Sequence, residues 1–126
     1  MIQTWLTLQA LFELVRYDLV NAVYGFRGVH GSLSRLAVRK SREGQEFEAA
    51  CRDAVSYATS LYYKPIRCLQ RSVVMARLLR YHGIDARVTI GYRPVPFLSH
   101  AWVEIGGRVA NDSPTFKQRL HILERI

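Results

Sequence analysis

Hydrophobic and polar positions divide the chain into a helical first half and a second half of strand-like segments. Between about Thr4 and Tyr24, apolar side chains recur at helical spacing, which predicts a first helix with one apolar stripe. The stripe contains Leu8, Leu11, Phe12, Val15, Leu19 and Val23, and the apolar residues Leu6, Leu14 and Val20 lie outside it. We expect the stripe to pack on the core, although so apolar a helix could also dock a partner protein.

The helical pattern stops after the first helix and resumes in a second one. Gly25, Gly28 and Gly31 interrupt a basic stretch that ends near Ser41, so we expect a connector over residues 25–41. The apolar face of the second helix contains Phe47, Cys51, Ala54, Val55, Ala58 and Leu61. Because Cys51 lies on this face, we expect its thiol to act as a small buried hydrophobic group.

A third helix is predicted from about Arg67 or Cys68 to His82, since Pro65 suits helix entry and Gly83 suits a C-terminal stop. Three strand-like segments follow: ARVTIGY (86–92), SHAWVEI (99–105) and RVAND (108–112). Helices followed by an antiparallel sheet indicate an α+β fold. We expect one domain over residues 1–126, beginning with the apolar helix at 1–24.

Composition narrows the class of protein. The chain has 126 residues, 49% of them hydrophobic, and a formal net charge of +8, so it is globular and suited to an anionic partner. Polar residues interrupt the first helix, so we expect neither a signal peptide nor a membrane span, and a cytoplasmic protein. The two cysteines and four histidines show no metal-ligand spacing. We therefore expect two free thiols, no metal and no other cofactor.

The second cysteine, Cys68, lies where the third helix should begin. Free backbone N–H groups and the positive end of the helix dipole favour a thiolate in a first turn, and Arg67 and Arg71 add positive charge nearby. A thiol nucleophile also needs a base, and imidazole is suited to this near neutral pH. Cys68 is therefore a candidate nucleophile.

The candidate base is His100. His30, His82 and His121 fall in the connector, at a helix end and in the C-terminal tail, where surface positions explain them. Strand alternation places His100 with Trp102 and Glu104 on one face of its strand, and Ala101, Val103 and Ile105 on the other. Because the purely apolar face should lie in the core, we expect His100 and Trp102 to face another layer or a cleft.

The register of the Gly106-Gly107 hairpin decides whether His100 has a carboxylate neighbour. A two-residue loop would pair Ile105 with Arg108 and put His100 and Asp112 on opposite faces. A three-residue loop would pair Glu104 with Arg108 and His100 with Asp112. We favour the three-residue loop, because it places opposite charges across from each other. Asp112 would then orient the imidazole of a Cys68-His100-Asp112 triad.

These residues carry a family resemblance. HAWVEI followed by ND resembles the His and Asp strands of the transglutaminase-like cysteine peptidase superfamily, whose papain-like core has its cysteine at a helix start. RCLQRSVVMARLLRYHGIDARVTIGYRP and SHAWVEIGGRVAND are similar to the stand-alone leader peptidase of lasso-peptide biosynthesis. The resemblance spans roughly Pro65 to Asp112. It implies that Cys68 is the nucleophile, His100 the base and then acid, and Asp112 the orienting residue of a catalytic core at 42–126.

The resemblance also implies a substrate and partners. The substrate would be a ribosomally made precursor whose leader is removed, with a separate small leader-recognition protein and an ATP-dependent cyclase as partners. From the residues themselves, we expect the stiff loop containing Pro94, Pro96 and Phe97 to line the peptide site with Trp102. Two alternatives stay open: an acyl transferase using the same triad, and a non-catalytic basic binding module. We expect no nucleic acid as a partner.

Overall fold

Helices precede an antiparallel sheet, which confirms the predicted α+β class. The computed structural model describes residues 2–36, 45–94, 97–106, 108–110 and 120–126. Within these ranges the helices are α1 (Ile2–Ser34), α2 (Gln45–Leu61) and α3 (Cys68–Tyr81), and the strands are β1 (Ala86–Pro94), β2 (Phe97–Ile105), β3 (Arg108–Val109) and β4 (His121–Arg125). The four strands form one sheet in the order β3-β2-β1-β4.

The helix α1 is longer than predicted and is kinked at Gly25. The expected connector over residues 25–41 is wrong as far as Ser34, because the chain is helical from the kink to that residue. Gly25 has φ 67° and ψ −161°, a backbone conformation that L side chains rarely adopt, so a single glycine changes the direction of the helix. The end of the predicted connector, residues 37–41, lies outside the described residues.

The buried face of α1 is not the predicted one. Leu6, Ala10 and Leu14 are fully buried at a spacing of four, and they pack in the core with α2 and α3. Most of the predicted stripe faces solvent, with exposed fractions from 47% at Val15 to 70% at Val23. Both sides of this helix are apolar, so periodicity alone could not select the buried side. We call Trp5, Leu8, Phe12, Val15, Leu19 and Val23 the outward face.

The helices α2 and α3 agree with the sequence pattern. Cys51, Ala54, Val55 and Ala58 of α2 are buried as predicted, whereas Leu61 is exposed. The helix α3 begins at Cys68 and ends at Tyr81, with His82 as its C-cap and Gly83 at φ 89°. Its buried apolar residues are Val73, Val74, Met75, Ala76, Leu78 and Leu79. These two helices supply the centre of the core between α1 and the sheet.

The β2-β3 hairpin has the two-residue loop rather than the three-residue loop that we favoured. Ile105 pairs with Arg108, and Glu104 pairs with Val109. This register directs Arg108 toward α2, where its Nη2 donates to both carboxylate oxygens of Glu48 at 2.6 Å. It also keeps Ile105 in the core. The expected Glu104-Arg108 pairing, and the register argument that set Asp112 across from His100, are therefore wrong.

One buried arginine joins three parts of the chain. The guanidinium of Arg80, near the end of α3, donates to the main-chain oxygens of Leu33, Ala86 and Ile126 at 2.6, 2.7 and 2.6 Å. Burial lowers its pKa. Ile126 follows β4, which was not predicted as a strand but pairs with β1. Arg80 therefore holds the end of α1, the start of β1 and the residue after β4 together.

Candidate active site

Cys68 is the first residue of α3, as predicted, and its side chain is half-buried. Arg67 is the N-cap in an extended conformation and makes no side-chain capping bond, and the first turn contains no acidic residue. The amide of Arg71 donates to the carbonyl of Arg67 at 3.0 Å. In a helix, the amides before that position have no carbonyl partner one turn back. The thiol therefore lies in a first turn that contains no acidic residue of its own.

A polar network holds the segment that leads into Cys68. Asp18 of α1 accepts hydrogen bonds from the Tyr62 hydroxyl, from Nζ of Lys64 at 2.8 Å and from Nε2 of Gln70 at 3.2 Å. Burial alone would raise the pKa of Asp18, but these hydrogen bonds outweigh it and lower the pKa. Because its donors lie on both sides of Cys68, Asp18 fixes the start of α3 relative to α1.

Sequence reasoning gave Asp18 no functional role. Its donors are 44 to 52 residues away along the chain, and hydrogen bonds over such separations leave no periodic signal. The signal that was present is a carboxylate interrupting an apolar helix. A buried or half-buried charge is stable in such a place when it is paired and hydrogen-bonded, so a carboxylate there indicates partners elsewhere in the chain.

The other cysteine has the structural role predicted for it. Cys51 is fully buried in the middle of α2, among core residues. Burial, together with the negative charge of Glu48, raises its pKa to about 12. A thiol with so high a pKa is protonated near neutral pH and is a poor nucleophile. Of the two cysteines, Cys68 alone combines a helix start with partial exposure.

His100 lies in β2, opposite Gly91 of β1. Its ring stacks on Trp102, with ring centroids 6.1 Å apart and 27° between the planes. A Cβ on Gly91 would lie 2.7 Å from Cη2 of Trp102, so the glycine leaves the space that the indole occupies. The predicted alternation is confirmed: Ala101, Val103 and Ile105 lie in the main core, and His100 and Trp102 share the other face.

Trp102 is a packing residue beneath His100. It is fully buried, and its Nε1 donates to Oε2 of Glu104 at 2.8 Å. Glu104 also lies 3.4 Å from Nε of Arg125 in β4, which ties the same face to the edge strand. The predicted contact of Trp102 with a peptide would require exposure of a buried indole. The peptide-contacting role of Trp102 therefore stays a prediction.

The element order predicts that Cys68 and His100 lie toward the same end of the sheet. Tyr81 ends α3 and Ala86 begins β1, so a short turn joins them, and α3 packs on β1 and β2. A helix joined in this way runs back along the strand, and its 14 residues extend about 21 Å. Cys68 is thus directed toward the end where β1 finishes and β2 starts. The pairing of Cys68 with His100 as nucleophile and base stays a prediction.

Several predicted site residues are only partly covered by the structure. Asp112 and Pro96 lie outside the described residues. Pro94 is exposed at the end of β1, and the backbone of Phe97 begins β2. The orienting role of Asp112 and the peptide-contacting role of this loop stay predictions.

The described residues offer neither a cluster of metal ligands nor a membrane-spanning helix. In the part of the chain that the structure describes, no group of three or more His, Cys, Asp or Glu side chains could hold a metal ion. Among the helices described, none is long and apolar enough to cross a membrane.

Comparison with known proteins supports the resemblance. Over 59 residues the chain is 44% identical to the microcin J25-processing protein McjB of Escherichia coli, a match that covers 47% of this chain but only 28% of McjB. No solved structure gives a significant match. Residues 13–125, from the middle of α1 to the end of β4, match the transglutaminase-like superfamily. Because that match extends over most of its length, the chain belongs to the transglutaminase-like superfamily.

Proposed function

We propose that this chain is a cysteine peptidase that removes the leader from a ribosomally synthesised lasso-peptide precursor. The observation that carries the proposal is the half-buried Cys68 thiol at an uncapped helix start, in a chain of the transglutaminase-like superfamily. The 44% identity to a microcin-processing protein supports a precursor peptide as the substrate. Removal of the leader frees the core's N-terminal amine for macrolactam formation.

In the proposed reaction, His100 takes the proton of Cys68 and the thiolate attacks the carbonyl carbon at the end of the leader. The tetrahedral intermediate collapses to a thioester as the C–N bond breaks, and His100 returns the proton to the leaving amine. Water, deprotonated by His100, then hydrolyses the thioester and restores the thiol. Asp112 orients the imidazole and stabilises its protonated form.

The start of α3 also supplies a candidate oxyanion donor. The N–H of Cys68 lies in the first turn, before the amide that makes the bond to Arg67. Such an amide donates to negative charge that develops on the substrate carbonyl oxygen, and a preorganised donor of this kind contributes strongly to acyl transfer. Arg67 and Arg71 add positive charge around the same turn.

The proposal includes partners and a location. A separate small leader-recognition protein presents the precursor, and an ATP-dependent cyclase uses the freed amine. These steps belong in the cytoplasm, where precursor, peptidase and cyclase are made. An acyl transferase is the second candidate, because the superfamily is named for transfer to amines and the thioester is common to both reactions. The acceptor of the acyl group distinguishes them.

The test is mass spectrometry of a lasso-type precursor incubated with this protein and its recognition partner. We expect cleavage at one bond by the native chain and by Cys51→Ala, which removes a buried thiol outside the site. In Cys68→Ala the rate should fall at least about 10³-fold, because the nucleophile is gone. A leader fragment that ends in a free carboxylate indicates a peptidase, and one joined through an amide to an acceptor amine indicates a transferase. Undiminished cleavage by Cys68→Ala would exclude the proposed nucleophile.

A further inference from the structure

The elbow of α1 forms a cleft lined by arginines. Its volume is about 740 Å³, and it lies between the helical segments before and after Gly25. Arg16 comes from the first segment, Arg27 and Arg35 from the second, and Arg77 from α3. Among the described residues that line it, none is acidic. The cleft thus collects positive charge in a concave surface formed by the kink.

Three of these arginines have no carboxylate partner among the described residues. Arg77 is neutralised, because its Nε donates to Oε2 of Glu13 at 2.6 Å, and its Nη1 donates to the carbonyl of Ser32 at 2.6 Å. The side chains of Arg16, Arg27 and Arg35 are exposed, and no ion pair involves them within the described ranges. A guanidinium presents paired donors that match a carboxylate or phosphate. The cleft is therefore complementary to an anionic ligand.

The surroundings of the cleft favour a peptide over a phosphate ligand. Its wall includes Val20, Tyr24 and Leu36. It adjoins the C-terminal end of the outward face, where Leu19 and Val23 are 62% and 70% exposed. An apolar helix face that ends in a group of exposed arginines matches an amphipathic segment with apolar and acidic side chains. Nucleic acid would instead require basic and aromatic side chains interleaved over a broad surface.

We propose that the arginine cleft binds the acidic side chains of an amphipathic peptide segment, whose apolar side chains lie on the outward face. The carboxylates pair with Arg16, Arg27 and Arg35, and the apolar contact covers side chains that this chain leaves exposed. The net charge of +8 opposes a second copy of this chain as the occupant and favours an acidic one. The inference concerns binding alone and does not depend on Cys68 being catalytic.

The test uses two synthetic amphipathic helical peptides with the same apolar residues, one with Glu and the other with Gln at the polar positions. Fluorescence anisotropy with the full native chain should show about tenfold or greater preference for the Glu peptide, and the preference should shrink as salt is raised. Arg27→Gln with Arg35→Gln should remove the preference. Arg71→Gln with Arg87→Gln, which removes the same charge from exposed sites outside the cleft, should preserve it.

A second variant tests the cleft by filling it. Gly31 lines the cleft, and a Cβ there would meet no atom within 4 Å, so Gly31→Leu adds volume without a clash at its first atom. Gly31→Leu should lower the affinity for the Glu peptide about tenfold, although all the arginines remain. Circular dichroism should show the native helix content. Equal affinity for the two peptides, or equal losses in both double variants, would overturn the proposal. Preferential binding of a DNA oligonucleotide or of phosphatidylglycerol vesicles through Arg27 and Arg35 would overturn it too.

Discussion

The two ends of α3 use their polar groups differently. We call the C-terminal end, which contains the buried Arg80, the closed end, and the N-terminal end, which begins at the half-buried Cys68, the open end. Arg80 is buried and donates to three main-chain oxygens from three different parts of the chain. Cys68 is half-buried, its helix has no side-chain cap, and the polar contacts around it come from Asp18 on another helix. The first arrangement ties three parts of the fold together, and the second leaves the proposed nucleophile partly exposed.

The comparison separates the end of the helix that we expect to carry stability from the end that we propose carries chemistry. At the closed end each nitrogen of the Arg80 guanidinium donates to a main-chain oxygen of the protein, so these hydrogen bonds serve the fold. At the open end the polar contacts surround the thiol and leave the first-turn amides available. Changes at the closed end should therefore reduce stability alone, and changes at the open end should reduce activity more than stability.

The largest stability effect is expected at the closed end. Arg80→Met keeps most of the side-chain volume but removes three hydrogen bonds to buried carbonyl oxygens, and we expect it to cost about 3 kcal/mol of unfolding free energy. Urea denaturation measures this as a lower midpoint at unchanged slope. Arg71→Met, the matched change at an exposed position on the same helix, should stay within about 0.5 kcal/mol. Equal losses in the two variants would contradict the role assigned to Arg80.

At the open end, Asp18→Asn should reduce activity more than stability. The amide keeps the shape but loses the charge that accepts from Lys64, Tyr62 and Gln70, so we expect a stability loss of about 1 to 2 kcal/mol. Because these contacts place Cys68 rather than bind the leader, kcat should fall while KM stays unchanged. The kcat of Tyr62→Phe, which removes one donor and keeps the carboxylate, should lie between those of the native chain and Asp18→Asn. A change confined to KM would remove the positioning role.

Local patterns predicted the bounds of α3 and most of the fold well. One-sided apolar periodicity predicted the buried side of α2 and the strands β1 and β2. Pro65 and Gly83 predicted the bounds of α3, and the structure confirms these elements. Cys68 was placed at a helix start by the same reasoning. These features depend on residues close together in the sequence, which is why a single sequence sufficed to find them.

Features that depend on distant contacts were not predictable in this way. The helix α1 is apolar on both sides, and the buried side was selected by packing on α2 and α3. The observed hairpin register places Arg108 in contact with Glu48, a residue on α2 that no pattern within the hairpin reveals. The kink at Gly25 looked like the end of a helix because glycine permits either outcome. In each case the sequence offered two locally acceptable structures and tertiary contacts chose one.

The smallest expected effect is the pH dependence of the contribution that Asp18 makes to stability. The pKa of Asp18 lies below its ordinary value of 3.8, so the folded state binds fewer protons on this group than the unfolded state does. The contribution of Asp18 to stability is complete at pH values above its pKa in the unfolded state. It is lost as the pH falls through its pKa in the folded state. The hydrogen bond to Asp18 raises the pKa of Lys64 above its ordinary value of 10.5. The contribution of Lys64 to stability is therefore complete below pH 10.5 and is lost as the pH rises through its pKa in the folded state.

Urea midpoints of the native chain and of Asp18→Asn should therefore differ by a constant amount near neutral pH. Their difference should narrow as the solution is acidified below about pH 4, where the carboxylate of the unfolded native chain takes up its proton. Arg80, whose guanidinium stays charged across this range, gives the reference: the difference between the native chain and Arg80→Met should not narrow in the same window. A constant difference for Asp18→Asn under acid would show that its hydrogen bonds do not depend on the charge, and the open end would then be held by geometry alone.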